Sequence, residues 1–154
     1  MTNRVYPYYP AWDGKTTQPV TTKLLELCKA RWGLTSMGTY ANRPMRSGAG
    51  LSVHATGYAA DLRYKDETQA RVIWDWFLAN SQALGLCEMH WYAFGAYGAG
   101  YRCSRGEGKK GVKIFGPDDN AGSYEGSPNW FHIELAKQNP DEFDKVFRAL
   151  KLSV

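Results

Sequence analysis

Three stretches of the chain carry apolar residues at the three- and four-residue spacing of an amphipathic helix. The first has Leu24, Leu25, Leu27, Cys28 and Trp32 as a broad stripe, with Thr21 or Thr22 as cap and Gly33 as stop. The second is the clearest. Asp66 is placed to cap it with Gln69 three residues on; Val72, Ile73, Trp76, Phe77 and Leu84 form its buried side, and Gly85 ends it. The third opens on Asn139 as cap, with Pro140 at the first helical position and Glu142 in the first turn. Phe143, Val146, Phe147 and Leu150 follow at helical spacing.

Four shorter runs read as strands: Met37–Ala41, Tyr58–Tyr64, Leu86–Tyr92 and Trp130–Leu135. Residues 94–128 are rich in Gly, Lys, Ser and Asp and show no period, which predicts one long loop. A loop of that length in a small domain is usually functional or mobile. It holds Gly98 and Gly100 but lacks the strand–glycine–helix setting of a nucleotide site. The pattern predicts an α+β fold, a small antiparallel sheet flanked by about three helices.

Composition sharpens this only modestly. At 154 residues, 44% hydrophobic and 22% charged, the chain is sized for one domain, 1–154, with a real core. Ten Tyr, six Trp and six Phe are more aromatics than that requires, and they can line a cleft or fill the core. A net charge of +4 favours an anionic partner, wall polymer or nucleic acid, without choosing between them. Met1–Pro10 lacks an apolar run behind a basic head, so no signal peptide is expected. No run approaches the roughly 18 apolar residues of a membrane span. Cys28, Cys87 and Cys103 show no metal-type spacing and fit a reduced, cytosolic chain, with a Cys87–Cys103 bridge left open.

Strand geometry places the chemistry. Along Trp130–Leu135, Phe131, Ile133 and Leu135 should face the core, leaving Trp130, His132 and Glu134 towards a cleft. The plain alternative, a surface histidine with chance neighbours, stays open on this segment alone. His54 and Asp61 are an odd number of residues apart, so a straight strand would point them to opposite faces. The chain must turn between them, and Gly57 can adopt the positive φ that a turn needs. Asp61 then sits mid-strand, with small Ala59 and Ala60 leaving room. His54, Asp61 and His132 together have the donor set of an open zinc site, with one position left for water.

Ser52-x-His54-x-x-Gly57-x-Ala59-x-Asp61 resembles the signature of zinc D-Ala-D-Ala carboxypeptidases and L-alanyl-D-glutamate endopeptidases. That family has the Hedgehog/D,D-peptidase fold and includes many phage endolysins. The second half of its pattern is an acid, two residues and a histidine, which Asn129-Trp130-Phe131-His132-Ile133-Glu134 resembles except at its first position. The likeness spans roughly residues 21 to 135.

The resemblance implies a single zinc peptidase-like domain, with Zn2+ held by His54, Asp61 and His132 and a water as fourth ligand. It implies a peptidoglycan stem peptide as partner, with neither nucleic acid nor membrane, and a monomer made in the host cytoplasm that acts at the cell wall after release. It places Arg43 at the reacting carbonyl or at a substrate carboxylate. Arg46, Ser52 and Trp130 would stand near substrate, with Ser52 also bonding beside the first ligand. The plainer readings are solvated loop charges for the arginines, a turn residue for Ser52 and packing for Trp130.

One position departs from the family. Asn129 stands where the catalytic acid is expected, and an amide cannot shuttle a proton. Loss of general acid–base help typically costs about 10²–10⁴ in rate. Glu88 is the first candidate replacement, sharing one face of Leu86–Tyr92 with His90 while Cys87, Met89 and Trp91 take the other. Glu134 and Asp118 are further options. Otherwise the chain is a wall-binding or structural relative that keeps the metal, or carries an inactivating change. Arg102, Arg105, Lys109, Lys110 and Lys113 form a basic stretch, read either as attraction to an anionic polymer or as a solvated loop.

Overall fold

The computed structural model describes residues 3–7, 9, 17–38, 56–119 and 129–150. Among these residues the architecture is α+β: a six-stranded, wholly antiparallel sheet with four helices. In chain order the elements are α1 (Pro19–Trp32), β1 (Thr35–Gly38), β2 (Ala59–Arg63), α2 (Glu67–Ala79), α3 (Ser81–Leu84), β3 (Leu86–Trp91), β4 (Ala99–Arg102), β5 (Val112–Ile114), β6 (Trp130–Leu135) and α4 (Pro140–Ala149). The sheet order is β1-β2-β6-β3-β4-β5, so the late strand β6 is inserted between β2 and β3.

The helix ends follow local chemistry, with two departures from the sequence pattern. α1 starts at Pro19, earlier than a cap at Thr21 or Thr22 would place it. Proline at the first turn has its φ already set for a helix and loses no needed N–H; Thr21 is buried inside the helix instead. Gly33 closes α1 at φ 72°, its N–H bonded to Lys29. The second predicted helix is two. Asp66 caps α2 by accepting from the Gln69 N–H, but the helix stops at Ala79. There the Asn80 side chain donates to the Trp76 carbonyl at 2.8 Å, and α3 restarts at Ser81 and ends at Gly85. α4 begins as expected, with Asn139 accepting from the N–H groups of Asp141 and Glu142.

β6 matches its sequence range, while β2 and β3 are shorter by a residue or two. β1 begins two residues before the predicted strand. The larger correction concerns residues 94–128. The described part of this stretch, residues 94–119, is not a structureless loop: it carries β4 and β5, which pair antiparallel with each other, and β4 pairs with β3. Strands of four and three residues are too short to show a readable period; β4 is ordered by pairing with β3 and β5 by pairing with β4.

One face of the sheet is apolar. Ala60, Leu62, Met89, Trp91, Phe131 and Ile133 join Leu24, Leu27, Ile73, Phe77, Phe143 and Phe147 in a single core. Trp32, Trp76 and Phe147 stack edge to face within it, with centroids 4.9–5.8 Å apart. Cys28, Cys87 and Cys103 are free, buried thiols. Burial pushes Cys28 up, and Cys87 up to about 12, so neither is poised to react. No helix among the described residues is long and apolar enough to cross a membrane.

Candidate active site

The opposite face of the sheet carries polar residues in register. Asp61 on β2 pairs with His132 on β6, His132 pairs with His90 on β3, His90 with Gly100 on β4, and Gly100 with Lys113 on β5. Two positions along, Ala59 pairs with Glu134, Glu134 with Glu88 and Glu88 with Arg102. Alternation along each strand puts both rows on one face. The predicted division of β6 is present: Phe131, Ile133 and Leu135 sit in the core and His132 and Glu134 on the polar face. Ala59 shares that face and lines the cluster, whereas Ala60 belongs to the core and makes no room there.

Gly57 has φ 78°, the turn conformation that the spacing from His54 to Asp61 demanded. The turn is also tight: the Gly57 carbonyl accepts from the Gln18 N–H, and a Cβ on Gly57 would lie 2.8 Å from Gln18 Cγ. This contact ties the start of α1 to the entry of β2. His54, Ser52, Arg43 and Arg46 lie outside the described residues.

His132 is held from both sides. Its Nδ1 is 3.1 Å from Asp61 Oδ1 and its Nε2 is 2.7 Å from Glu134 Oε2. Glu134 also accepts a hydrogen bond from the Tyr6 hydroxyl, so the N-terminal segment lies over this end of the cluster. Burial works against a charge on His132, but the hydrogen bonds to Asp61 and Glu134 override it and push the imidazole up to about 10. Two carboxylates around a buried ring therefore demand a positive charge at this point. Burial, then the nearby Glu134 and Glu88, push the Tyr6 phenol up, so it remains a donor.

Glu88 is committed to two partners. One oxygen meets His90 Nε2 at 2.5 Å; the other accepts from Arg102 Nε at 3.0 Å and Nη2 at 2.8 Å. Burial would raise this carboxyl, yet the bond to His90, the His90 charge and then Arg102 hold it down at about 2. Glu88 is thus a fixed anion near neutral pH. The sequence expectation that it replaces the missing acid meets a carboxylate poorly suited to take up a proton. Glu134 is fully engaged with His132 and Tyr6, and Asp118 is exposed in the turn after β5.

Asn129 is exposed one residue before β6, and its carbonyl accepts from the Tyr64 N–H at 3.0 Å. It continues the β2–β6 ladder, so alternation turns its side chain away from the face of His132. Trp130 is half-buried against Tyr92, ring centroids 4.6 Å apart. The basic stretch is mostly tied down: Arg102 to Glu88, Lys113 to Asp119 at 2.8 Å, and Arg105 to the carbonyls of Gly100 and Gly111.

The sequence put His90 on the face of Glu88 but not opposite His132, and it did not bring Arg102 or Tyr6 to this cluster. A signal for His90 exists in retrospect. Glu88-x-His90 and His132-x-Glu134 are mirror-image runs, and antiparallel pairing sets His opposite His and Glu opposite Glu. Their rings lie 5.6 Å apart. Tyr6 and Arg102 carry no such signal, since both reach the cluster only through the fold.

Asp61 Oδ1 and His132 Nδ1 suit adjacent ligands of one zinc ion. Tetrahedral bonds of about 2.0–2.1 Å set two such donors roughly 3.3 Å apart, close to the 3.1 Å found. Glu134 supplies the carboxylate that metal-bound histidines take on their second nitrogen. Among the described residues no group of three His, Cys, Asp or Glu side chains is arranged to hold a metal ion, and the expected third donor, His54, lies outside them. No protein-family model, curated protein or solved structure matches the chain.

Proposed function

We propose that this protein is a zinc-dependent peptidoglycan peptidase of the endolysin type, with the Hedgehog/D,D-peptidase fold, which hydrolyses an amide bond of the wall peptide. The observation that carries the reading is the Asp61–His132–Glu134 line, a carboxylate and an imidazole side by side with a second carboxylate behind the ring. It joins two motifs 71 residues apart, which the family resemblance had linked only by analogy.

In this reading Asp61 and His132 hold the zinc with His54. Glu134 keeps Nε2 of His132 protonated, so that Nδ1 offers its lone pair; Tyr6 keeps Glu134 oriented. The metal, when bound, supplies a water of lowered pKa and a Lewis acid for the scissile carbonyl. Arg43 would bind a substrate carboxylate or the developing oxyanion, and Arg46, Ser52 and Trp130 would border the substrate. Glu88 and Arg102 form a rigid charged floor that fixes the His90 ring.

The deciding experiment is zinc content measured with turbidity loss of purified cell walls, with and without chelator. One zinc per chain with chelator-sensitive clearing supports the proposal, and His132→Ala should then remove both. A variant that still holds one tight zinc overturns the ligand assignment, and absence of metal from the native chain overturns the whole reading.

Asn129 favours a second reading, a wall-binding relative that keeps the zinc but cleaves slowly or not at all. Asn129→Asp separates the two. Restoring a lost acid should raise the rate by about 10² or more. A side chain turned from the site should give less than that, and we expect this second result.

A further inference from the structure

We propose that the pocket beside the Asp61–His132 pair, over β3, β4 and β5, is an anion subsite that takes a carboxylate of the bound substrate. Glu88, His90, Arg102, Arg105, Lys113, Phe115 and Asp119 line a cavity of about 210 Å³. That is smaller than the roughly 300–1,000 Å³ of a site for a drug-sized ligand, and suits one terminal group or one short side chain.

The pocket's charges do not cancel. Arg102 is matched by Glu88 and Lys113 by Asp119. Among the described residues Arg105 forms no ion pair with a carboxylate. Its Nε donates to the Gly111 carbonyl at 3.0 Å and its Nη2 to the Gly100 carbonyl at 2.8 Å. These two bonds fix the guanidinium in place, and the charge it feels most, Glu88, is already bonded to Arg102 and His90. A planar, pre-positioned guanidinium with spare N–H groups is the donor best matched to a carboxylate. Leaving His90 aside, Arg102, Arg105 and Lys113 face two anions, Glu88 and Asp119, around the cavity.

Gly100 shapes the floor. A Cβ there would lie 2.6 Å from Phe115 Cζ and 2.9 Å from His90 Cδ2. Glycine lets these two rings close edge to face, at 5.7 Å, over β4. The in-register row from His132 through His90 to Gly100 gives the distance. Two strand spacings of about 4.8 Å put the pocket roughly 10 Å from His132. An extended peptide covers that in about three residues. The carboxylate should therefore belong to a residue two or three positions from the bond that is cut. Assigning it to a wall peptide rests on the peptidase reading, whereas the charge of the pocket does not.

The test is calorimetric binding to the chelator-treated full chain, which prevents cleavage. The probes are three synthetic stem peptides: one with all carboxylates free, one amidated at its C-terminus, and one amidated at its side-chain carboxylate. We expect one amidation, and not the other, to weaken binding about tenfold, which tells a terminal from a side-chain source. Arg105→Ala should weaken the free peptide by a similar factor and leave the affected amide unchanged. Arg105→Lys should restore part of the loss. Because the amides test the wild-type chain, the result does not depend on the variants folding. Equal binding of all three peptides, or no binding of any, overturns the subsite. Carboxylate-dependent binding by a chain that holds no zinc and clears no walls would uphold the subsite while the peptidase reading fails. Zinc and wall clearing without carboxylate dependence would do the reverse.

Discussion

Glu88 on β3 and Glu134 on β6 stand directly opposite each other in the antiparallel ladder, both buried. Like charges facing across a strand pair are destabilising. Each is answered by its own partners, Arg102 and His90 for Glu88, His132 and Tyr6 for Glu134. Arg102 also lies over the Tyr6 ring at 4.2 Å, joining the two sets.

Arg102→Ala should therefore cost more than a surface ion pair. Removing one partner of a buried pair costs about 3–5 kcal/mol, and we expect about 2–3 because Arg102 is only partly covered. Its side chain is 33% exposed. Denaturant titration reads this directly; an unchanged midpoint would show that the facing carboxylates do not need the guanidinium.

Acid should weaken the fold through Glu88. Its value drops from an ordinary 4.5 to about 2 on folding. A carboxyl lowered on folding stabilises fully above its unfolded value and loses that contribution as pH falls towards its folded one. The loss should run from about pH 4.5 down to about pH 2. Glu88→Gln cannot titrate, so its urea midpoint should fall less steeply than wild type across this window. Parallel curves would count against the assignment.

Glu134→Gln keeps an acceptor for His132 but removes the charge behind it. Changes to such partners typically reduce metal affinity about 10–100-fold. Competition with a calibrated zinc chelator should show a loss in that range, while a wild-type affinity would show that Glu134 plays no part in holding metal.

Gly57→Ala should destabilise more than Gly33→Ala. Both glycines have positive φ, 78° and 72°, which costs an alanine about 1–2 kcal/mol. At Gly33 a Cβ meets nothing within 4 Å, whereas at Gly57 it meets Gln18 Cγ at 2.8 Å and the Gln18 backbone nitrogen at 3.1 Å. Calorimetry should show a Tm drop of roughly 4–8 °C at Gly57 and about half that at Gly33. Equal drops would mean that the Gln18 contact is slack.

Much of this arrangement could be read from local patterns. The Asp66 and Asn139 caps, the turn at Gly57 and the two-faced strand at β6 each depend on a few consecutive residues. Local backbone preference and side-chain alternation suffice for such features. The neighbourhood of Asp61 and His132 was likewise suggested by their residue types and spacing.

Register and strand order needed the whole chain. Nothing near β6 says that it enters between β2 and β3, and this insertion brings Asp61, His132 and His90 into one row. β4 and β5 have no pattern of their own; β3 offers an edge to β4, and β4 in turn offers one to β5. Tyr6 and Arg102 reach Glu134 and Glu88 from 128 and 14 residues away. Sequence alone determined which residues could do chemistry, because ionisable groups and turn preferences are local properties. Tertiary structure decided which of them act together, because burial and pairing depend on what the rest of the chain places against them.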